Sequence, residues 1–595
     1  MMLGVSLARR TWFLCLLFGL LVFATRYPFA PGQLFTSDDV NLAYSIGRFD
    51  VRVSQPQPPG YPLFVLEMRV LYWLRIRRPE SILLALSLAG SLAALLLVAR
   101  CGQRILGGDT GYCAAWLLVL HPVFWHAGLT SALRVQLAVV SAAVALACWR
   151  AWSGETGWVW RSAVVLGLGA GISPELGPLL FPLWAVGALR ARISWKERGK
   201  ALGAMALAVL VWVAAILASG GPYQFIKATL DFISAQASVS LALLGAPENT
   251  WHTTFWRLMV WVFCSVPAWG LPVVLAWRRG ELLPGWGLGW NRIAFLTLWF
   301  LPPFVFAFLV HVEEPGQTLA AAPAVALFGG YLMDRALANV EERVSRWYAT
   351  AFVLATLAVA WIVDRRSGPD IVVWVPVVCI AAGVMLRLAE TRNTGHPARW
   401  QMSFFMLAPV VVLDLTMFNH PGWYYKGSAT KGLQAAYEAA KADLTSGLAL
   451  TSYEQVHNTL ALDDGTVRGI RRLAGERPGR TVVIWERGLT AWRKAAYYAP
   501  GVPVLVLDHT RVQSGSPPAV AVWKGPRLES MLQGAAPLRI AVPAGGRIVW
   551  LLNPRTDFYQ LAAQAFPLIT AYPVYYSDLP QESGSRTLGG YEVAW

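Results

Sequence analysis

The chain has 595 residues, of which 56% are hydrophobic and only 14% charged, with a mean hydropathy of +0.46. That balance excludes a soluble multidomain protein and predicts a polytopic α-helical membrane protein. The net charge of +16 lies in short basic clusters between apolar runs, which points to cytoplasmic loops and away from a nucleic-acid partner. The 29 Trp and 19 Tyr suit many membrane boundaries. The six cysteines stand singly with no CxxC spacing, so no disulfide framework or zinc site is expected.

The first apolar run, Leu7 to Phe23, carries Arg9-Arg10 near its start and ends on Ala24-Thr25-Arg26-Tyr27, a poor cleavage site. It reads as a retained signal anchor with a cytoplasmic N-terminus, so the following loop, 26–80, faces the periplasm or cell exterior. That loop holds Thr36-Ser37-Asp38-Asp39 and then Gln57-Pro58-Pro59-Gly60-Tyr61-Pro62. An acid pair at a membrane exit is either a base held at the interface or the cap of a helix through Asn41 to Ile46. Arg48 and Arg52 follow it and read as solvated loop charges or phosphate contacts. The run Tyr61 to Leu74 is short and carries Glu67 and Arg69, each costing roughly 2.5 to 3.5 kcal/mol at a bilayer centre. It is expected to lie on the outer leaflet as an interfacial helix.

Spans follow near residues 81–99, 112–127, 131–149, 158–174, 175–190, 200–218, 257–277, 292–310, 317–337, 347–363, 371–388 and 400–417, about thirteen helices with the first. The cluster from Arg190 to Lys200 anchors the cytoplasmic side. One alternative joins 158–190, interrupted by Ser173 to Pro178, into a single kinked span; in the hairpin reading Glu175 is a turn residue or part of a cavity floor, the turn being favoured. His121 and His126 read as satisfied interfacial histidines. Residues 219–256 form an external loop whose segment Tyr223 to Leu244 is amphipathic. A leaving phosphate needs positive charge or donors, and two places near outer helix ends supply candidates. They are Arg134, and the segment His311-Val312-Glu313-Glu314-Pro315-Gly316-Gln317.

After Asn419 the charged residues rise and the apolar runs shorten. Helix-like stretches (431–444, 466–473, 559–566) alternate there with β-branched runs (481–485, 502–507, 547–552), which predicts a C-terminal extracytoplasmic α/β domain over 420–595, behind a membrane domain over 1–419. It holds no GxGxxG, Walker or nucleophile-elbow motif and is assigned no chemistry.

A retained first helix, Ser37-Asp38-Asp39-x-x-x-Ala43-Tyr44, Gln57-Pro58-Pro59-Gly60-Tyr61, about thirteen spans and an external C-terminal domain together resemble the GT-C glycosyltransferases. The nearest group is that of the protein O-mannosyltransferases and lipid A aminoarabinose transferases. The resemblance covers residues 7–420. Asp39 stands where Glu is usual, Gln57 where His often leads, and Gln317 where a related bacterial motif has Tyr.

The resemblance implies inverting transfer of a sugar from a polyprenyl-phosphate carrier to an extracytoplasmic lipid, glycan or protein, in a bacterial inner membrane. Asp38 would be the general base. Asp39 would orient it, bind the acceptor or hold a divalent cation such as Mg2+ or Mn2+, while Gln57, Tyr61, Arg134, His311, Glu313 and Gln317 would contact substrate. Two rival readings are a transporter or flippase for lipid-linked sugars and an inactive GT-C relative serving as a scaffold. The first predicts half-repeats and mid-span charges, neither of which is evident. A polymerase or ligase would carry its large external loop late among the helices.

Overall fold

The computed structural model describes residues 15–240, 251–263, 288–310, 314–337, 453–486, 492–507, 512–513, 515–552, 554 and 556–595. It divides into two compact units, Met1–Ala30 with Pro58–Gln455, and Pro31–Gln57 with Val456–Trp595. Residues 31–57 of the first external loop therefore group with the C-terminal fold, while α1 before them and α3 after them group with the helices. The expected boundary at 419/420, the spans near 347–363, 371–388 and 400–417, and most of 257–277 lie outside the described residues.

In chain order the helices are α1 (Cys15–Phe29), α2 (Ser37–Gly47), α3 (Pro62–Trp73), α4 (Pro79–Ile105), α5 (Thr110–Leu120), α6 (Pro122–Thr130), α7 (Ala132–Trp152) and α8 (Trp158–Ile172). After them come α9 (Leu176–Arg190), α10 (Trp195–Gly220), α11 (Pro222–Ser240), α12 (Trp251–Phe263), α13 (Trp290–Leu309) and α14 (Ala322–Leu337), with a 3-10 turn at Pro315–Ala320. Among the described residues α4, α7, most of α10 and α13 are long and apolar enough to cross a membrane. Helices α5 and α6 are apolar enough together, but the pair is bent by 59° at His121-Pro122, the form of a broken span or a re-entrant loop. Proline has no N–H to continue the ladder of α5, so it starts a new helix inside what reads as one apolar run.

Helices α8 and α9 have 15 residues each, about 22 Å, short of a bilayer core of about 30 Å. Trp184 in α9 donates its indole N–H to Val159 O near the start of α8, 3.2 Å away and 25 residues earlier in the chain. A continuous helix would hold those residues about 37 Å apart. The pair is thus an antiparallel hairpin, and the single kinked span through 158–190 is overturned. Between the hairpin's arms, Ser173 and Glu175 make the turn, joined by a 3.3 Å hydrogen bond.

The helices approach closely because small residues let them. A Cβ built on Gly111 in α5 would fall 2.0 Å from Ala99 O in α4, and one on Gly330 in α14 would fall 2.5 Å from Ala114 N in α5. In α8, Gly167 meets Met205 O of α10 in the same manner, and Gly169 makes room for the Val140 side chain of α7. Lipid chains are as apolar as leucine, so such backbone contact is what associates helices in a bilayer. Part of the aromatic load lies inside, where Trp116, Trp261 and Trp299 are fully buried. Trp73, Trp195, Trp251 and Trp290 instead stand exposed at helix ends, where boundary residues belong. The short α3 exposes Leu66, Val70, Trp73 and Leu74, and α11 exposes Tyr223, Ile226, Leu230 and Ile233, as interfacial helices would.

The second unit is a three-layer α/β fold. Its elements are α15 (Tyr453–Glu476), β1 (Thr481–Glu486), α16 (Trp492–Tyr498), β2 (Val504–Leu507), β3 (Ala519–Lys524), β4 (Arg527–Gln533), β5 (Leu538–Ala541), β6 (Arg547–Leu551), α17 (Asp557–Ala565), β7 (Ile569–Ala571), β8 (Val574–Asp578), β9 (Ser585–Leu588) and β10 (Tyr591–Ala594). Seven strands run in the order β4-β3-β2-β1-β6-β8-β7, with the central three parallel and the outer ones antiparallel. Alternate residues of β1 enter different cores. Val482 and Ile484 join Phe558 and Ala562 of α17, while Val483 and Trp485 join Ile470 of α15 and Ala495 of α16. A strand covered on both faces must be apolar throughout, which is why β1 reads as an unbroken run. Arg547, at the start of β6, pairs with Asp578 and Glu476 and stacks on Tyr576. The guanidinium holds the Asp578 carboxyl below the usual range.

Candidate active site

The acid pair opens helix α2. Thr36 caps it: its hydroxyl accepts from Asp39 N at 3.0 Å, and Asp39 Oδ2 accepts from Thr36 N at 2.8 Å and Thr36 Oγ1 at 2.9 Å. This is a closed capping box with Asp39 at its third helical position. Asp39 is 3% exposed and its Oδ2 is committed to the box, whereas Asp38 at the second position is half-buried. The helix N-terminus favours negative charge at both. Asp39→Ala should cost about 1 kcal/mol of stability through the lost cap. Asp38→Ala loses only a charge at the helix start and should lower the thermal midpoint less than Asp39→Ala does, so comparing the two midpoints checks the division of roles.

Hydrogen bonds fasten the acid segment to the α/β fold. Gln33 Nε2 donates to Asp464 Oδ1 at 2.7 Å, Leu34 N to Tyr498 Oη at 2.9 Å and Gln55 Nε2 to Pro526 O at 2.6 Å. Arg493 donates Nε to Asn41 Oδ1 at 2.8 Å and Nη2 to Val53 O at 3.1 Å, so one guanidinium holds both α2 and the turn after it. Its plane lies 4.4 Å from the Trp523 ring centroid and 5.2 Å from that of Tyr44. The neighbouring Lys494 is buried too, paired with Asp463 and 5.5 Å from the Phe35 ring. Burial lowers the Arg493 guanidinium to about 10 and pushes the Tyr44 phenol up.

Arg48 and Arg52 are held by Asp50, at 2.7 Å and 2.8 Å, and Arg52 keeps that carboxyl below the usual range. Gln57 is 5% exposed, and neither of its side-chain amide atoms has a hydrogen-bond partner. Beyond it, Pro58-Pro59 is a cis pair and Gly60 takes φ 101°, a left-handed conformation that a side chain would strain. Tyr61, 7% exposed, then precedes α3.

In the helical unit a second cluster forms. Arg134, at the start of α7, is 7% exposed and donates Nε to Glu314 Oε2 at 3.3 Å, while Nη1 lies 4.0 Å from Glu175 Oε1. Glu314 shares a capping box with Gln317, and Gly316 lies against the Arg134 stem, where a Cβ would fall 2.7 Å away. The structure therefore brings together Arg134, Gln317 and the turn residue Glu175, whose carboxylate faces the arginine. Two carboxylates already answer the charge of Arg134. His311 and Glu313 lie outside the described residues. His121 donates its Nε2–H to Val262 O at 3.3 Å and His126 meets Thr130, both buried.

For a divalent cation the donor set is poor. Among the described residues no three His, Cys, Asp or Glu side chains gather, and Asp39 Oδ2 already accepts two hydrogen bonds. The described residues gather no such centre around Asp39.

The sequence reading missed Arg493 and Lys494. Asn41 and Arg493 are 452 residues apart, and no periodicity links them. The one local signal is two adjacent cations inside the aromatic stretch Trp492-Arg493-Lys494-Ala495-Ala496-Tyr497-Tyr498.

An apolar helical body and an α/β unit that carries residues 31–57 make a fold shared with a protein of known structure. The particular likeness is to ArnT, the lipid A aminoarabinose transferase, from Cupriavidus metallidurans. Its apo crystal structure aligns with a TM-score of 0.52 at 12% identity, covering 96% of this chain and 98% of that one. The same protein bound to undecaprenyl phosphate aligns with a TM-score of 0.51 and equal coverage. At that identity the likeness establishes the fold. No family model matches the chain, and no curated protein matches it.

Proposed function

We propose that the chain is an integral membrane glycosyltransferase that moves a sugar from a polyprenyl-phosphate carrier to an acceptor outside the cytoplasm. The observation that carries this reading is the near full-length match to a fold solved with undecaprenyl phosphate bound. The acid helix supports it from the chemistry. An acceptor hydroxyl is a weak nucleophile until a carboxylate takes its proton. Asp38 accepts that proton as the hydroxyl oxygen attacks the anomeric carbon. The bond from that carbon to the phosphate oxygen breaks on the opposite face, its electron pair leaving with the phosphate, so the sugar inverts. Asp39 keeps the helix start rigid around its neighbour. The α/β fold stands outside with the acceptor, and a bacterial inner membrane is the setting this requires.

Purified protein in liposomes, given a panel of radiolabelled polyprenyl-phosphate sugars and extracted cell-envelope acceptors, should yield a labelled product with at least one donor. The labelled fraction, lipid, glycan or protein, names the acceptor class. Carrier binding with no transfer from any donor would overturn the enzyme reading in favour of carriage or scaffolding.

A further inference from the structure

Buried polar atoms without a hydrogen-bond partner are few in the α/β unit, and most of them sit at one seam. Gln33 Oε1, Tyr44 Oη, both amide atoms of Gln57 and Arg493 Nη1 are all left so. All belong to the acid segment or to the arginine that holds it. Elsewhere among the described residues of this unit only the indole nitrogens of Trp485 and Trp595 share that state. Tyr44 Oη and Arg493 Nη1 belong to side chains already in contact. A buried phenol that bonds to nothing gives folding no advantage over phenylalanine, and a buried guanidinium with an idle N–H pair keeps an uncompensated donor. Such a pair suits a ligand that brings both an oxyanion and hydroxyl groups.

The walls of the seam agree. Trp492 and Trp523, with ring centroids 5.4 Å apart, flank Arg493 at 5.3 Å and 4.4 Å. Both rings and Tyr44 are half-buried, so aromatic faces border the cluster on its exposed side. Flat apolar faces beside a small number of convergent polar groups are the lining of a small-molecule site. We propose that this seam is a subsite for a sugar bearing an oxyanion, with Arg493 Nη1 on the anionic oxygen, Tyr44 Oη on a hydroxyl and the ring lying along Trp523. This deepens the glycosyltransferase reading and rests on it. The anion is either the phosphate of the donor head or an acidic group of the acceptor.

The test is direct binding to the full-length protein in detergent, by saturation-transfer NMR titration, without turnover. The probes are glucose 1-phosphate, glucuronic acid, glucose and inorganic phosphate. One of the two anionic sugars should bind at least tenfold more tightly than glucose or inorganic phosphate. Preference for glucose 1-phosphate assigns the donor head, and preference for glucuronic acid assigns the acceptor. Tyr44→Phe should weaken that binding roughly five- to tenfold with the thermal midpoint unchanged or raised, and Arg493→Lys should weaken it more. Failure of both anionic sugars to bind, or equal binding by Tyr44→Phe and wild type, overturns the subsite. Because binding is read without transfer, an enzyme that transfers sugar but fails here loses only the subsite. A protein that binds here but never transfers loses only the reaction.

Discussion

Asp38→Asn should lower sugar transfer by about 10²- to 10⁴-fold, the range a positioned general base contributes. The thermal midpoint should hardly move, because Asn keeps the shape of the side chain and the capping box is made by Thr36 and Asp39. The loss should fall on kcat, with carrier binding retained, since the substituted group acts on the acceptor's proton and not on the lipid. Asp39→Ala should cost less activity and more stability. If Asp38→Asn transfers at the wild-type rate, α2 is only a capped surface helix and the mechanism fails.

Gly111→Ala should have the largest effect on folding. Its Cβ would stand 2.0 Å from a backbone oxygen of α4 and within 3.0 Å of Gln103 N, so no side-chain rotation can make room. The helices must separate, and the dense packing among α4, α5 and α14 would be lost along their shared face. Overpacking of this kind costs about 3 kcal/mol or more. The readout is the monodisperse fraction and thermal midpoint in detergent, against Gly203→Ala in α10, where nothing lies within 4 Å of the added carbon. That control should be neutral or slightly stabilising. Equal behaviour of the two variants would mean that α4 and α5 do not meet as closely as described.

What the sequence disclosed followed burial. The strands over 481–485, 502–507 and 547–552 were legible because the sheet's central strands are covered on both faces and so read as apolar runs. β4 was not, since most of its side chains are exposed and no apolar alternation marks it. The helix at Asp38-Asp39 was legible from its polar start, and the structure puts the cap at Thr36 with Asp39 closing the box from inside the first turn. The apolar run 112–127 hid a break at His121-Pro122, because hydropathy registers composition while a proline acts on one hydrogen bond. Arg134 was found as a lone cation near a helix end. Its two acidic partners come from segments remote in sequence, Glu175 and Glu314, and no local pattern announces them. Arg493 was invisible for the same reason at greater range.

That range has a consequence for biosynthesis. At about 5 to 20 residues per second, the ribosome makes Asn41 about 20 to 90 s before it makes Arg493. For nearly all of that interval the acid segment lacks its fasteners, because the earliest of their partners, Asp464, is made only 29 residues before Arg493. A nascent or truncated chain can hold its first helices in the bilayer and yet present no ordered acid at their exit. The last part of the chain to be translated thus arms the first, and only a finished molecule is competent.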